Sequence, residues 1–130
     1  MKLNRTKCDY MVFSRAQSDF ATRLSIKNAT IDKVSVSKIL GVWIEESLGW
    51  GKNTKEMCIK AYSRISMLTK LKYIGVQVED LLDIYILFIR SVVEYCSVAF
   101  NLILNHEQTN DLERVQKVCL KIILDETYVD

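Results

Sequence analysis

The chain has 130 residues, 49% apolar and 26% charged, with 18 Lys and Arg against 16 Asp and Glu and a net charge of +2. That length fits one modest domain or two small subdomains, and the apolar share is ordinary for a globular protein. No Pro and only four Gly are present, which argues against disordered linkers.

Residues 1–15 carry charges at Lys2, Arg5, Lys7, Asp9 and Arg15 and no apolar run as long as a leader needs. No secretory leader is read there, and an intracellular location, cytoplasmic or nuclear, is expected. The most apolar stretch, 81–104, is interrupted by Asp83, Arg90 and Glu94. A membrane span would bury those charges at high cost, so the stretch reads as a buried helix and no membrane contact is expected. Cys8, Cys58, Cys96 and Cys119 form no C-x-x-C pair, and His106 is the sole histidine. Free thiols, no metal site and no cofactor are the expectation. The small net charge conceals a segregation. Residues 1–49 hold eight cations and five acids, 50–75 hold six cations and one acid (Glu56), and 76–130 hold four cations and ten acids.

In chain order, the stretch from Cys8 to Phe13 is rich in strand formers. Leu24-Ser25-Ile26 and Thr30-Ile31-Asp32 flank Asn28-Ala29, a sub-optimal hairpin turn. The apolar run from Ile39 to Ile44 reads as a further strand, with Gly41 admitting close approach of another backbone. Near residue 50 the periodicity changes from alternating to helical. Asn53 and Glu56 form a capping-box pattern at the start of a helix whose apolar seam is Met57, Ala61, Ile65 and Leu68, and Gly75 suits its end. A second helix is predicted from about Glu79-Asp80 to about Phe100, with the acids at its positive dipole end. A third follows the cap-like pair Asn105 and Gln108, with the seam Leu112, Val115, Cys119 and Ile122 and a Glu113–Lys117 pair. Tyr85, Phe88, Tyr95 and Phe100 read as core, and the cysteines as buried thiols. Short connections imply that successive helices run antiparallel.

Several motifs occur in a familiar order. Leu3-Asn4-Arg5-Thr6-Lys7 with Met11-Val12-Phe13 resembles the signature near the end of the palm in non-LTR (LINE-type) retrotransposon reverse transcriptases. Lys38-Ile39-Leu40-Gly41-Val42 resembles the strand that follows it, and Leu48-x-Trp50 is similar to the opening of the thumb. Tyr85, Ile89-Arg90-Ser91-Val92, Glu94-Tyr95, Gln108 and Leu112-Glu113-x-Val115-Gln116-Lys117 follow the spacing of the thumb and adjoining region. The resemblance covers essentially the whole chain. It departs from the family at Cys8 (Thr in the family), at Ile39 (an aromatic) and at Asn53 (commonly His).

The resemblance implies RNA-directed DNA polymerase ancestry without the catalytic centre. Polymerases of this class hold two metal ions through palm carboxylates that lie upstream of the matched region. Two-metal chemistry needs carboxylates placed to clamp ions roughly 3.5–4 Å apart. No adjacent Asp-Asp exists here, and Glu45-Glu46 and Glu79-Asp80 read as solvated charges. No catalytic residue is therefore assigned. Lys7 matches a palm lysine that the resemblance places near the incoming nucleotide, and it is a vestige in this chain. The first thumb helix is expected to face the template–primer backbone, where Lys52, Lys60, Arg64 and Lys70 would neutralise phosphates without reading sequence.

The fold class expected is α+β, with a palm-edge β remnant over 1–48 and a thumb-like three-helix bundle over 49–130. The function expected is that of a non-catalytic fragment with weak, sequence-independent nucleic-acid binding. Strand edges left without their parent sheet would be the fragile part and a surface for self-association. The alternative is a helical protein-interaction module whose acidic C-terminal half meets a basic partner. Residues 50–75 also resemble a short N-terminal segment of AlkB-type repair and tRNA-modifying enzymes. That likeness confers no activity, because an iron oxygenase needs two His and a carboxylate.

Overall fold

A computed structural model describes residues 4, 8–14, 23–26 and 29–125. The chain divides into two compact units, Met1–Trp50 and Gly51–Asp130. It mixes strand and helix, as an α+β chain does. Lys7, with most of the leading palm-like motif, lies outside the described residues, and so does Asn28.

Among its described residues the first unit holds six short strands: β1 Asp9–Tyr10, β2 Ser25–Ile26, β3 Ala29–Thr30, β4 Asp32–Lys33, β5 Val36–Ile39 and β6 Val42–Glu45. They form three separate two-stranded ladders: β1 with β4 in parallel, and β2 with β3 and β5 with β6 antiparallel. Ile26 pairs with Ala29, so Ala29 belongs to a strand and not to the turn expected at Asn28-Ala29. The expected strand from Ile39 to Ile44 is corrected more sharply. Leu40 and Gly41 have φ of 49° and 90°, and they connect the paired residues Ile39 and Val42. Two consecutive positive-φ residues make the tight loop whose twist suits a hairpin. Gly41 therefore serves the turn and not a close approach within a strand. The hairpin places Lys38 directly opposite Trp43, with Nζ 5.3 Å from the indole centroid, a cation–π contact across the ladder.

The second unit is helical. Helix α1 is Gly51–Tyr73. Helix α2 spans 78–93 and has three parts: an α-helical Val78–Ile84, a π-helical Tyr85–Arg90 and a closing turn Ser91–Val93. Helix α3 is the single turn Ser97–Phe100, and α4 is His106–Leu124. The start of α1 lies two residues before Asn53, so Asn53 is not its cap. Trp50, at φ 56°, turns the chain into the helix, and the Asn53 side chain donates to Met57 Sδ at 3.2 Å.

Gly75 ends α1 as its sequence position suggests. Its N–H donates to the Lys72 carbonyl at 3.0 Å and the Val76 N–H to the Leu71 carbonyl at 3.2 Å, with Gly75 at φ 86°. This is the Schellman pairing, which satisfies end carbonyls through a left-handed residue. Asn105 opens α4 with a complete capping box. Its side chain accepts the Gln108 N–H at 2.8 Å, and its own N–H donates to Gln108 Oε1 at 3.1 Å.

The core joins Ala61, Ile65 and Leu68 of α1 to Leu81, Tyr85, Ile89 and Val93 of α2 and to Val115, Cys119 and Ile123 of α4. The α4 seam turns by one residue at its end: Ile123 is buried, while Ile122 is only partly so. Lys72 Nζ reaches the Ile123 carbonyl at 2.9 Å and Asp125 at 3.0 Å. The last turns of α1 and α4 thus meet, so these two helices run parallel, each antiparallel to the α2 between them in sequence.

The expected continuation of α2 to Phe100 fails for a reason visible in its spacing. Its buried residues are four apart, and continuing that row would place Ser97 and Asn101 in the core. The helix breaks instead after Val93, with Cys96 at φ 58°, and the re-phased turn buries Phe100 at 1% exposure. Phe88 and Tyr95, expected in the core, are about half exposed at 51% and 53%. Phe88 lies one row aside from the buried one, and Tyr95 falls in the break. Cys96 is likewise exposed, Cys8 and Cys58 are half-buried, and Cys119 alone is buried, all four as free thiols.

Gly75→Ala gives a direct check of the α1 terminus. A Cβ there would touch nothing within 4 Å, so the whole cost is conformational. Chemical denaturation should show a loss of about 1–2 kcal/mol, the cost of holding a non-glycine residue left-handed; an unchanged midpoint would contradict the Schellman assignment.

Candidate nucleic-acid interface

Six cations lie on α1 or at its ends, and the fold divides them. Lys52, Lys55, Lys60 and Lys70 are exposed, whereas Arg64 and Lys72 are half-buried. Lys52 and Lys70 are 18 residues apart, five full turns, so they share one side of the helix at roughly 27 Å separation. Lys60 lies between them along the axis and toward one flank. Met67 shares the flank of Lys60, at 40% exposure. Lys55 was missing from the sequence-derived set. Its signal in the sequence was its place among the six cations of residues 50–75.

Arg64 does not stand outward with the lysines. Its Nη1 donates to the backbone carbonyl of Phe88, inside the π-helical part of α2. At three residues from Ala61, Arg64 lies beside the buried stripe, and its long stem carries the guanidinium to α2. Of the four residues expected to face phosphates, the structure leaves Lys52, Lys60 and Lys70 on the surface and commits Arg64 to helix packing. Lys72 is used similarly, as the clamp on the end of α4. Cations are favourable there, because helix C-termini carry partial negative charge.

A cleft of about 530 Å³ opens between the first turns of α1 and α4, walled by Thr54, Cys58, Ile59, Tyr62, Asp111 and Arg114. Burial pushes the Cys58 thiol up, and the Asp111 carboxylate pushes it further, against a smaller opposing effect of Arg114. A thiol held in its neutral form is a poor nucleophile at neutral pH. Cys119, fully enclosed in the core, is pushed up to about 11 by burial alone. Among the described residues no three His, Cys, Asp or Glu side chains gather as metal ligands do. Among the same residues no helix is long and apolar enough to cross a membrane.

Two measurements separate structural from surface cations and place the core thiol. Arg64→Ala should destabilise the helical unit by about 1 kcal/mol, the typical net worth of such a hydrogen bond, and Lys60→Ala by less than about 0.5 kcal/mol. Equal effects in thermal or urea unfolding would show that Arg64 is not a packing residue. For Cys119 the folded state keeps its proton to a higher pH than the unfolded chain does. The stabilisation is then complete below pH 9, the ordinary value, and is lost as pH rises through about 11. Unfolding free energies measured across that window should fall for the wild type and fall less for Cys119→Ala.

No protein-family model, no curated protein and no solved structure matches the chain.

Proposed function

We propose that this chain is a non-catalytic relative of the palm-edge and thumb region of non-LTR retrotransposon reverse transcriptases, and that it binds nucleic acid weakly and without sequence preference through α1. The observation that carries the binding is the outward lysine set Lys52, Lys55, Lys60 and Lys70, accompanied on α1 by a single acid, Glu56. Lysines on a helix surface neutralise phosphates as point charges and read no base edges. The ordered motifs from Leu3 to Lys117 support the ancestry, and the sequence offers no adjacent Asp-Asp to hold a metal pair.

Binding to a labelled RNA–DNA hybrid, followed by fluorescence anisotropy, tests this reading. The expected Kd is about 10⁻⁴–10⁻⁶ M, and three phosphate contacts imply a slope of about −3 in log affinity against log salt. Replacing Lys52, Lys60 and Lys70 together by Glu should abolish binding, and scrambling the duplex sequence should change nothing. A flat salt dependence would sink the proposal.

The second reading, a helical interaction module that meets a basic partner, is favoured by one observation: residues 76–130 hold ten acids against four cations. Cross-linking of the chain to a strongly basic peptide, competed by salt, would support the acidic-half version of that reading; absence of cross-links would remove it.

A further inference from the structure

We propose that the outward face of α2 pairs with the same face of a second copy, antiparallel, about a two-fold axis between Ile86 and Leu87. The buried residues of α2 repeat every four positions, and so do its outward ones. One outward row carries Asp83, Leu87 and Ser91, all exposed, and its neighbour carries the exposed Ile86 and Arg90 and begins at Leu82, which is half-buried and packs partly against the core. Ile86 and Leu87 are 47% and 67% exposed, and Phe88 beside them is 51% exposed.

The charge pattern selects the occupant and its direction. Laying the first row against the second in reverse sets Leu87 on Ile86, Asp83 on Arg90 and Ser91 on Leu82, each contact occurring twice as two-fold symmetry demands. A parallel arrangement would set Asp83 on Asp83 and Arg90 on Arg90. The Nε of Arg90 bonds Glu94, just past the end of the same helix, at 2.7 Å. A guanidinium carries five N–H donors in a fork, so one carboxylate does not exhaust it. The unfavourable meeting in this register is Glu79 with Glu94. It falls at the ends, where helices crossing at an angle diverge, and Arg90 already offsets the Glu94 charge. The strip is narrow for a stable interface, so the association is weak and rises with concentration. No α1 lysine takes part, so dimerisation and nucleic-acid binding can fail independently.

Sedimentation velocity on the full chain is the test. Its weight-average mass should climb from 15.1 kDa toward twice that value between low and high micromolar concentration. Leu87→Glu should hold the monomer mass throughout with unchanged helical circular dichroism, since that side chain is mostly in solvent. Asp83→Arg and Arg90→Asp should each lose association alone. Mixed in equal amounts they should regain it, because each mixed pair again sets opposite charges at both places. A wild type that stays monomeric, association that survives Leu87→Glu, or a mixture that stays monomeric would overturn the proposal.

Discussion

The helical unit depends on a spacing conflict within α2. Leu81, Tyr85, Ile89 and Val93 must all face the core, yet four residues in an α-helix overshoot a full turn by roughly 40°. Three such steps in a straight α-helix would swing Val93 roughly 120° away from Leu81. The π-helical segment Tyr85–Arg90 resolves this, because its wider i→i+5 turns slow the rotation and keep the row aligned. Where the row would next present Ser97 and Asn101, widening no longer helps. Burying two polar side chains without partners would cost more than interrupting the helix. The chain breaks at Cys96, accepts a left-handed residue there, and buries Phe100 instead.

Widened turns and helix ends leave backbone carbonyls that need donors, and α1 supplies two of them. Arg64 reaches the Phe88 carbonyl within the π segment, and Lys72 reaches the Ile123 carbonyl at the end of α4. Ser91 adds a local bond to the Leu87 carbonyl at 2.6 Å. Part of the positive charge concentrated in residues 50–75 is therefore internal structure. A count of cations along the sequence overstates the charge offered to a partner by these two side chains.

What could be read from the sequence follows from how local each determinant is. The ends at Gly75 and Asn105 were legible because a cap is decided within a few residues. The α1 seam of Met57, Ala61, Ile65 and Leu68 was legible because its apolar residues recur at spacings of four, four and three, which keep to one helix face. The α2 break was hidden: Phe88, Tyr95 and Phe100 all fit a helical pattern, and only the polarity of Ser97 and Asn101 marked the row as failing. The destination of Arg64 was hidden for a different reason. Its partner is a backbone carbonyl, which has no letter in the sequence. The Leu40-Gly41 turn was obscured by its apolar flanks, although Gly41 was the one residue in that run suited to positive φ. The Lys7 reading lies outside the described residues and gains nothing from the fold.

Helix α4 shows what an ordinary solvated helix surface looks like in this chain. Four of its outward charges form local pairs, Asp111 with Arg114 at 3.4 Å and Glu113 with Lys117 at 3.8 Å. Such exposed pairs contribute a few tenths of a kcal/mol each and leave little net field. The outward surfaces of α1 and α2 depart from that pattern in two different ways. On α1 the exposed lysines outnumber the acids, so the surface keeps a positive field that counterions must screen and that a polyanion could neutralise with release of those ions. On α2 the middle turn keeps three apolar side chains in water, at a cost that burial against another surface would recover. Each departure is confined to one helix face, and the two faces share no side chain. The two proposed associations would thus draw on different forces, charge on α1 and, on α2, apolar contact with charges fixing its register.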